Sequence, residues 1–219
     1  MPPHLPTRFI LFVGLFALVS QLQAAEPSPP VEASMADGVG EPMPNRFRFS
    51  QSGCTYLIEQ DGAANRKCND DRSEKFRVPL RKGEFVWIGV FFLAYGSDLI
   101  LIYDTQNDGE DYAASLVVRL DGSTLKTKWR INMKPNSCPC LREDGYLYVA
   151  AWGFVGKIDL DKGRYVWSHD GRKKGFADLM SFETIRIEGN DVIFTAKQDR
   201  RTERTIRVNR TTGRLGNVQ

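Results

Sequence analysis

The sequence predicts an all-β chain, an array of three to four antiparallel sheet units, on three observations. Apolar residues fall in short runs rich in Val, Ile, Tyr and Phe rather than at helical spacing. Pairs such as Asp121-Gly122, Asp144-Gly145 and Gly189-Asn190 punctuate those runs and supply the positive φ that tight hairpins require. The runs also repeat: Asp121 and Trp129 recur as Asp159 and Trp167, both 38 residues further on.

Taken in order, candidate strands cover 55–59, 85–93, 99–104, 115–120, 128–132, 146–151, 155–159, 165–169, 184–188, 191–197 and 205–209. Residues 86–94 are apolar enough to suggest part of a membrane span. Tyr95-Gly96-Ser97-Asp98 cuts the run well short of the roughly 20 residues a span needs, so two buried strands joined by a turn is the better reading. Residues 47–82 match the repeat poorly and read as a disulfide-pinned cap. Trp87, Trp129 and Trp167 fall where core packing is expected. Trp152, in Ala151-Trp152-Gly153-Phe154, sits at a hairpin and is a candidate contact residue.

Aligned on their turns, residues 99–129, 146–167 and 192–215 each show an apolar strand, a polar interruption, a second strand ending in Asp or Asn, a turn and a third strand. The best copy is Asp159-Leu160-Asp161-Lys162-Gly163 followed by Trp167. Asp121-Gly122-Ser123-Thr124 with Trp129 lacks the turn glycine. Asn209-Arg210-Thr211-Thr212-Gly213 lacks the Trp, with Leu215 aligned in its place. This pattern resembles the β-propeller repeat of pyrroloquinoline-quinone-dependent dehydrogenases and of the related periplasmic propeller that helps assemble outer-membrane proteins. The resemblance covers about half the chain after the leader. It implies a small or incomplete β-propeller-like array in which Asp121, Trp129, Asp159, Gly163, Trp167 and Gly213 pack neighbouring units together. A closed ring needs roughly 4–8 blades of about 40–45 residues, and the length here permits about four. The dehydrogenases carry their quinone in a larger ring, with vicinal cysteines, a metal and an Asp base. The chain is too short for that ring and Cys138-Pro139-Cys140 is not a vicinal pair, so no cofactor is expected.

The N-terminus reads as an export signal over residues 1–24: Arg8, an apolar run over 9–19, then the small residues Ala24 and Ala25. The first cysteine is Cys54, so a lipidation cysteine is not expected after cleavage. A periplasmic or secreted protein with no integral membrane segment follows. Residues 25–45, rich in Pro, Ser and Glu, read as a disordered linker, and 46–219 as the repeat domain. The formal charge of +3 falls to about +2 without Arg8, too little to select for nucleic acid. Exported cysteines favour disulfides. Cys54, Cys68, Cys138 and Cys140 allow three pairings; Cys54–Cys68 is the natural first pair, and the other two stay open.

Catalytic patterns are sparse. Only His169 remains after the leader, and the cysteines lack the paired spacing of a zinc site. Asp104-Thr105-Gln106-Asn107-Asp108-Gly109 brushes a calcium-loop pattern but has Gln106 at its third position and Ser115 at its twelfth, which favours a polar hairpin loop. Ser168-His169-Asp170 alternates along a strand rather than converging, and His169 reads as a turn residue. Basic residues gather near the C-terminus, among them Arg204 and Arg207 as candidate contacts for an acidic partner. The expectation is an exported, non-catalytic binding module whose rim loops 107–112, 151–154 and 171–174 meet a protein or envelope polymer. The alternatives are an exported inhibitor or immunity-type protein and, behind it, a truncated quinoprotein or thiol-exchange enzyme.

Overall fold

The computed structural model describes residues 31–32, 34–35, 46–107, 114–134, 140–179, 181–197 and 202–218. The predicted leader, Cys138 and most of the predicted 107–112 loop lie outside them.

These residues form four antiparallel sheets; three are meanders in chain order, and the second is a meander extended at its first edge by a strand from earlier in the chain. Sheet I holds β2 (Ser34–Met35), β3 (Arg46–Gln51), β4 (Cys54–Glu59), β5 (Ala63–Cys68) and β6 (Ser73–Arg77). Sheet II holds β1 (Val31–Glu32), β7 (Glu84–Tyr95), β8 (Asp98–Asn107), β9 (Ser115–Leu120) and β10 (Thr127–Met133). Sheet III holds β11 (Cys140–Glu143), β12 (Tyr146–Ala151), β13 (Phe154–Asp159) and β14 (Arg164–Asp170). Sheet IV holds β15 (Ser181–Glu188), β16 (Asp191–Lys197), β17 (Glu203–Asn209) and β18 (Leu215–Val218). The all-β array of repeated sheets is as the sequence predicts.

The sheets stack face to face in chain order, with a core at each junction. Side chains alternate across a strand, so the middle strand of an inner sheet feeds two cores at once. Leu99, Leu101 and Tyr103 of β8 pack toward Phe47, Phe49, Tyr56 and Ile58 of sheet I, while Ile100 and Ile102 pack toward Leu147 and Val149 of sheet III. In β12 the other face, Tyr148 and Ala150, meets Val192, Phe194, Ile206 and Val208 of sheet IV. Burial on both faces explains the unbroken apolar runs of β8 and β12.

The two ends behave differently. On sheet I, one face is the core and the other carries exposed Arg48, Ser50, Thr55, Lys67, Ser73 and Lys75. On sheet IV, Ile193 stands directly between Arg186 and Arg207 on the neighbouring strands and is only 2% exposed. Arg207 pairs with Glu188 at 2.9 Å and Asp191 at 3.0 Å, and Arg186 with Glu188 at 2.8 Å. Arginine stems covering an isoleucine under an ion-pair lattice make a solvated face.

Consecutive sheets are also locked by one recurring turn. In 121–125, 159–163 and 209–213 the fifth residue's N–H donates to the first residue's carbonyl at 2.8, 2.9 and 2.8 Å. The Oδ1 of Asp121, Asp159 or Asn209 accepts the amide protons two and three residues further on, from Ser123 and Thr124, Asp161 and Lys162, or Thr211 and Thr212. The fifth residue takes positive φ: Leu125 at 56°, Gly163 at 61°, Gly213 at 69°. Trp129 of sheet II lies flat on the turn of sheet III, its Nε1 donating to Leu160 O at 3.1 Å. A Cβ on Gly163 would stand 2.3 Å from Trp129 Cγ. Trp167 of sheet III repeats the contact on sheet IV, with Gly213 at 2.7 Å by the same measure and Nε1 donating to Arg210 O at 3.4 Å. Beside each Trp a cation reaches the same carbonyl: Arg119 to Leu160 O at 2.8 Å, Lys157 to Arg210 O at 2.9 Å. Lys157 is buried against the rings of Tyr146 and Tyr148, at 3.9 and 5.3 Å, and burial pushes its pKa down. Sheet I has no Trp to offer. Its buried Arg66 donates to Gly122 O and Ser123 O instead, held by Glu74. That leaves room at the fifth turn position, and Leu125 fills it, 4% exposed in the core.

Several expectations are corrected. Residues 47–82 form a full sheet of their own rather than only a pinned cap, because β5 and β6 alternate around Ala64, Arg66 and Phe76 with too little apolar contrast to stand out. Cys54 and Cys68 face each other across the β4–β5 pair and are disulfide-bonded, as predicted, although the segment between them is strand and turn rather than loop. Within the predicted disordered linker, β1 pairs with β7 and β2 with β3, satisfying backbone groups on two sheet edges. Leu215 does not take the Trp place. It pairs with Val208 as Tyr165 pairs with Ile158 and Thr127 with Leu120, so the Trp position falls at Asn217. Trp87 is 43% exposed beside Phe85, where a register shift between Val86 and Val90 interrupts the β7–β8 ladder. His169 lies within β14 opposite Val155 rather than in a turn.

Gly163→Ala is expected to lower stability by about 2–4 kcal/mol, since it adds overpacking under Trp129 to the left-handed backbone cost. Gly189 has φ 58° with nothing within 4 Å of its Cβ position, so Gly189→Ala should cost only about 1 kcal/mol. Urea denaturation of both variants checks the difference. A second expectation concerns Asp98, whose side chain is 3% exposed between Arg119 at 2.6 Å and Lys128 at 2.9 Å. Burial works against its charge, but the bonds from Lys128, Arg119 and the Gly122 amide outweigh it and hold the pKa below the usual carboxylate range. A depressed carboxylate contributes stability that is present above its unfolded pKa and is lost as pH falls through the folded one. The urea midpoint should therefore hold down to about pH 5 and fall below about pH 4, and Asp98→Asn should flatten that acid limb.

Candidate binding cleft

The 151–154 hairpin and the loop after β14 meet at one end of sheet III, where the chain passes on to sheet IV. Gly153, at φ 56°, turns the hairpin and donates its N–H to Leu179 O at 2.9 Å, while Gly171 donates to Gly153 O at 2.7 Å. A side chain on Gly153 would meet the Ala177 backbone at 3.1 Å, so the loop lies directly on the hairpin. Phe176 and Leu179 anchor the loop in the III–IV core, both 0% exposed. From sheet IV, Arg204 reaches the same loop, 3.5 Å from Asp178 and 3.4 Å from Gly175 O.

Asp170 organises the charge. It caps the short 3-10 turn Gly171–Lys173 by accepting the Arg172 N–H at 2.9 Å, and its carboxylate pairs with Arg172 at 3.1 Å and with Lys134, from the end of β10, at 3.3 Å. Arg172 first, and Lys134 behind it, hold the Asp170 carboxyl well below the usual carboxylate range.

Two cavities meet at Lys134. One, of about 520 Å³, is lined by Met133, Phe154, Tyr165, Asp170, Lys173 and Lys174 among others; the second, of about 360 Å³, by Trp152, Gly153, Arg172 and Ala177. The result is an open cleft lined by both cationic and apolar side chains. The Tyr165 hydroxyl is buried at its edge with no hydrogen-bond partner.

The structure thus brings together the predicted loops 151–154 and 171–174, with Trp152 half-buried between them. Arg204 touches the far end of that loop, whereas Arg207 belongs to the ion-pair lattice on the outer face of sheet IV. Much of the C-terminal basic cluster is paired internally, including Lys197 with Glu183 at 2.6 Å and Arg210 with Glu143. Ser168, His169 and Asp170 do not converge: His169 Nε2–H donates to Gly213 O at 2.8 Å, and Asp170 faces Lys134 and Arg172. Among the described residues no group of three or more His, Cys, Asp or Glu side chains is arranged to hold a metal ion, and no helix is long and apolar enough to cross a membrane. Sequence reasoning missed Lys134 and Lys157. Lys134 carries no local signal, because the β10–β14 junction that gives it a role joins segments far apart in sequence.

No family model matches the chain, and no curated protein matches it. Among solved structures it is similar to a Bacteroides caccae protein of unknown function at 12% identity, covering 89% of this chain and 61% of that one, with a TM-score of 0.40. BamB from Moraxella catarrhalis also matches at 12% identity, over 78% of this chain and 62% of that one, with a TM-score of 0.35. A quinohemoprotein alcohol dehydrogenase from Pseudomonas putida matches at 12% identity, over 88% and 44%, with a TM-score of 0.30. The chain spans about three fifths of the first two and less than half of the third. The sheet order and register described above rest on the chain itself.

Proposed function

We propose that the chain is an exported, non-catalytic binding module that engages a partner through the cleft between sheets II and III. The observation that carries this reading is the convergence of the 151–154 hairpin and the 171–174 loop, from opposite ends of two strands, on one cleft with Trp152 inside it. A half-buried Trp among cations is the composition in which binding energy concentrates at interfaces. The rigid stack beneath supports the same reading, since loops held by packed sheets bind with little ordering cost. Export is supported by the leader-like residues 1–24 and by a disulfide between Cys54 and Cys68. The partner is a protein, for the reasons developed below.

Capture from an envelope extract by the purified protein tests this. One stoichiometric partner is expected with the wild type, with at least tenfold less recovered by Trp152→Ala, the loss typical of an interface hot spot. Equal recovery by the two proteins counts against the cleft as the site.

A further inference from the structure

We infer that the cleft takes an extended acidic peptide, one alternating carboxylate and bulky apolar side chains. The inference rests on the binding reading above and names the partner's chemistry.

Charge comes first. Lys134, Arg172, Lys173 and Lys174 line the two cavities, against which Asp170 is the acidic side chain. Asp170 already stands between Lys134 and Arg172, while Lys173 and Lys174 are exposed at the mouth. Four cations around one carboxylate leave an excess of positive charge that a partner's carboxylates would balance.

Shape and polarity narrow the class. The same cavities are also lined by apolar side chains, Met133, Phe154 and Tyr165 in one and Trp152 and the exposed Ala177 in the other. A ligand that uses both surfaces carries anionic groups beside aliphatic or aromatic ones at short intervals, which an extended peptide does and a carboxylated sugar polymer does not. A flat bilayer surface cannot follow a concave site.

The backbone adds a third argument. β10 is the last strand of sheet II and β14 the last of sheet III, so each is an edge strand, and the end of each lines the cleft. Asn132 and Met133 lie on one, Ser168 and Asp170 on the other. An extended chain laid along either edge gains main-chain hydrogen bonds, with its alternate side chains meeting the cationic and the apolar side chains of the lining. The chain already uses this mode on other edges, where β1 adds to β7 and β2 to β3.

The test is fluorescence anisotropy with a labelled, acetylated peptide of sequence Glu-Leu-Asp-Leu-Glu and its isosteric control Gln-Leu-Asn-Leu-Gln. The full chain is used as wild type, as Trp152→Ala and as Lys173→Glu/Lys174→Glu, with circular dichroism confirming that each variant folds. The acidic peptide is expected to bind wild type, to lose about tenfold in affinity to the charge-reversed variant, and to weaken as salt is raised. The control is expected to bind at least tenfold more weakly than the acidic peptide. No binding of the acidic peptide, equal binding of both peptides, or no effect of charge reversal overturns the inference. So does a carboxylated oligosaccharide that displaces the acidic peptide and binds more tightly. The binding reading fails separately: it falls if extract capture is indifferent to Trp152→Ala, whereas capture lost on Trp152→Ala without peptide binding leaves that reading standing and removes only the acidic peptide.

Discussion

A tryptophan ring laid on the glycine turn of the next sheet is the constraint on which this structure depends. A β-sheet with two apolar faces cannot stay exposed, and stacking copies covers both. Face-to-face stacking alone leaves the sheets free to slide, because the hydrophobic effect has no direction. The Trp contact removes that freedom. Trp129 fits only where Gly163 has no side chain, and its indole N–H finds Leu160 O only in that register. Arg119 and Lys157 add a second, charged tie to the same carbonyl positions.

The same logic explains how the stack ends. At sheet I the interlock is made by Arg66 rather than by a Trp, and Leu125 accepts a left-handed backbone in exchange for a buried side chain. At sheet IV the positions matching Lys157 and Trp167 carry Arg207 and Asn217. Arg207 has turned into a surface lattice with Glu188 and Asp191. The side chain that docks on the next turn as Lys157 in sheet III lies exposed as Arg207 on the outer face of sheet IV.

Much of this was legible in the sequence where two signals coincided. β8, β12 and β16 announce themselves as unbroken apolar runs bounded by turn pairs, and the Asp-to-Trp spacing marks sheets II and III. Sheet I was only partly legible because its strands bury one face, and β5 and β6 put Ala64, Arg66, Glu74 and Phe76 there in place of branched aliphatics. The repeat in sheet IV was recognised but threaded two residues out: the spacing from Asp121 to Trp129 and from Asp159 to Trp167, carried to Asn209, reaches Asn217, where no aromatic residue marks the place. Trp152 was legible as a hairpin tryptophan. Arg172 fell within the expected 171–174 rim loop, but Lys134 was not legible, because the cleft joins segments that meet only after sheets II and III are locked. The candidate site is therefore a product of the stacking: loops 151–154 and 171–174 are held by Gly153, Phe176 and Leu179, and Lys134 reaches them from the adjacent sheet.

The Trp-over-glycine contact, beyond face-to-face burial, fixes how sheet II seats on sheet III and sheet III on sheet IV. A double-mutant cycle on Trp129→Ala and Gly163→Ala, read by urea denaturation, measures it most directly. If the methyl group harms the protein only by displacing the indole, the Gly163 substitution should cost about 1 kcal/mol once Trp129 is gone, the residual price of a left-handed alanine. Two costs that simply add would show that the ring and the turn do not depend on each other, and the account would be wrong.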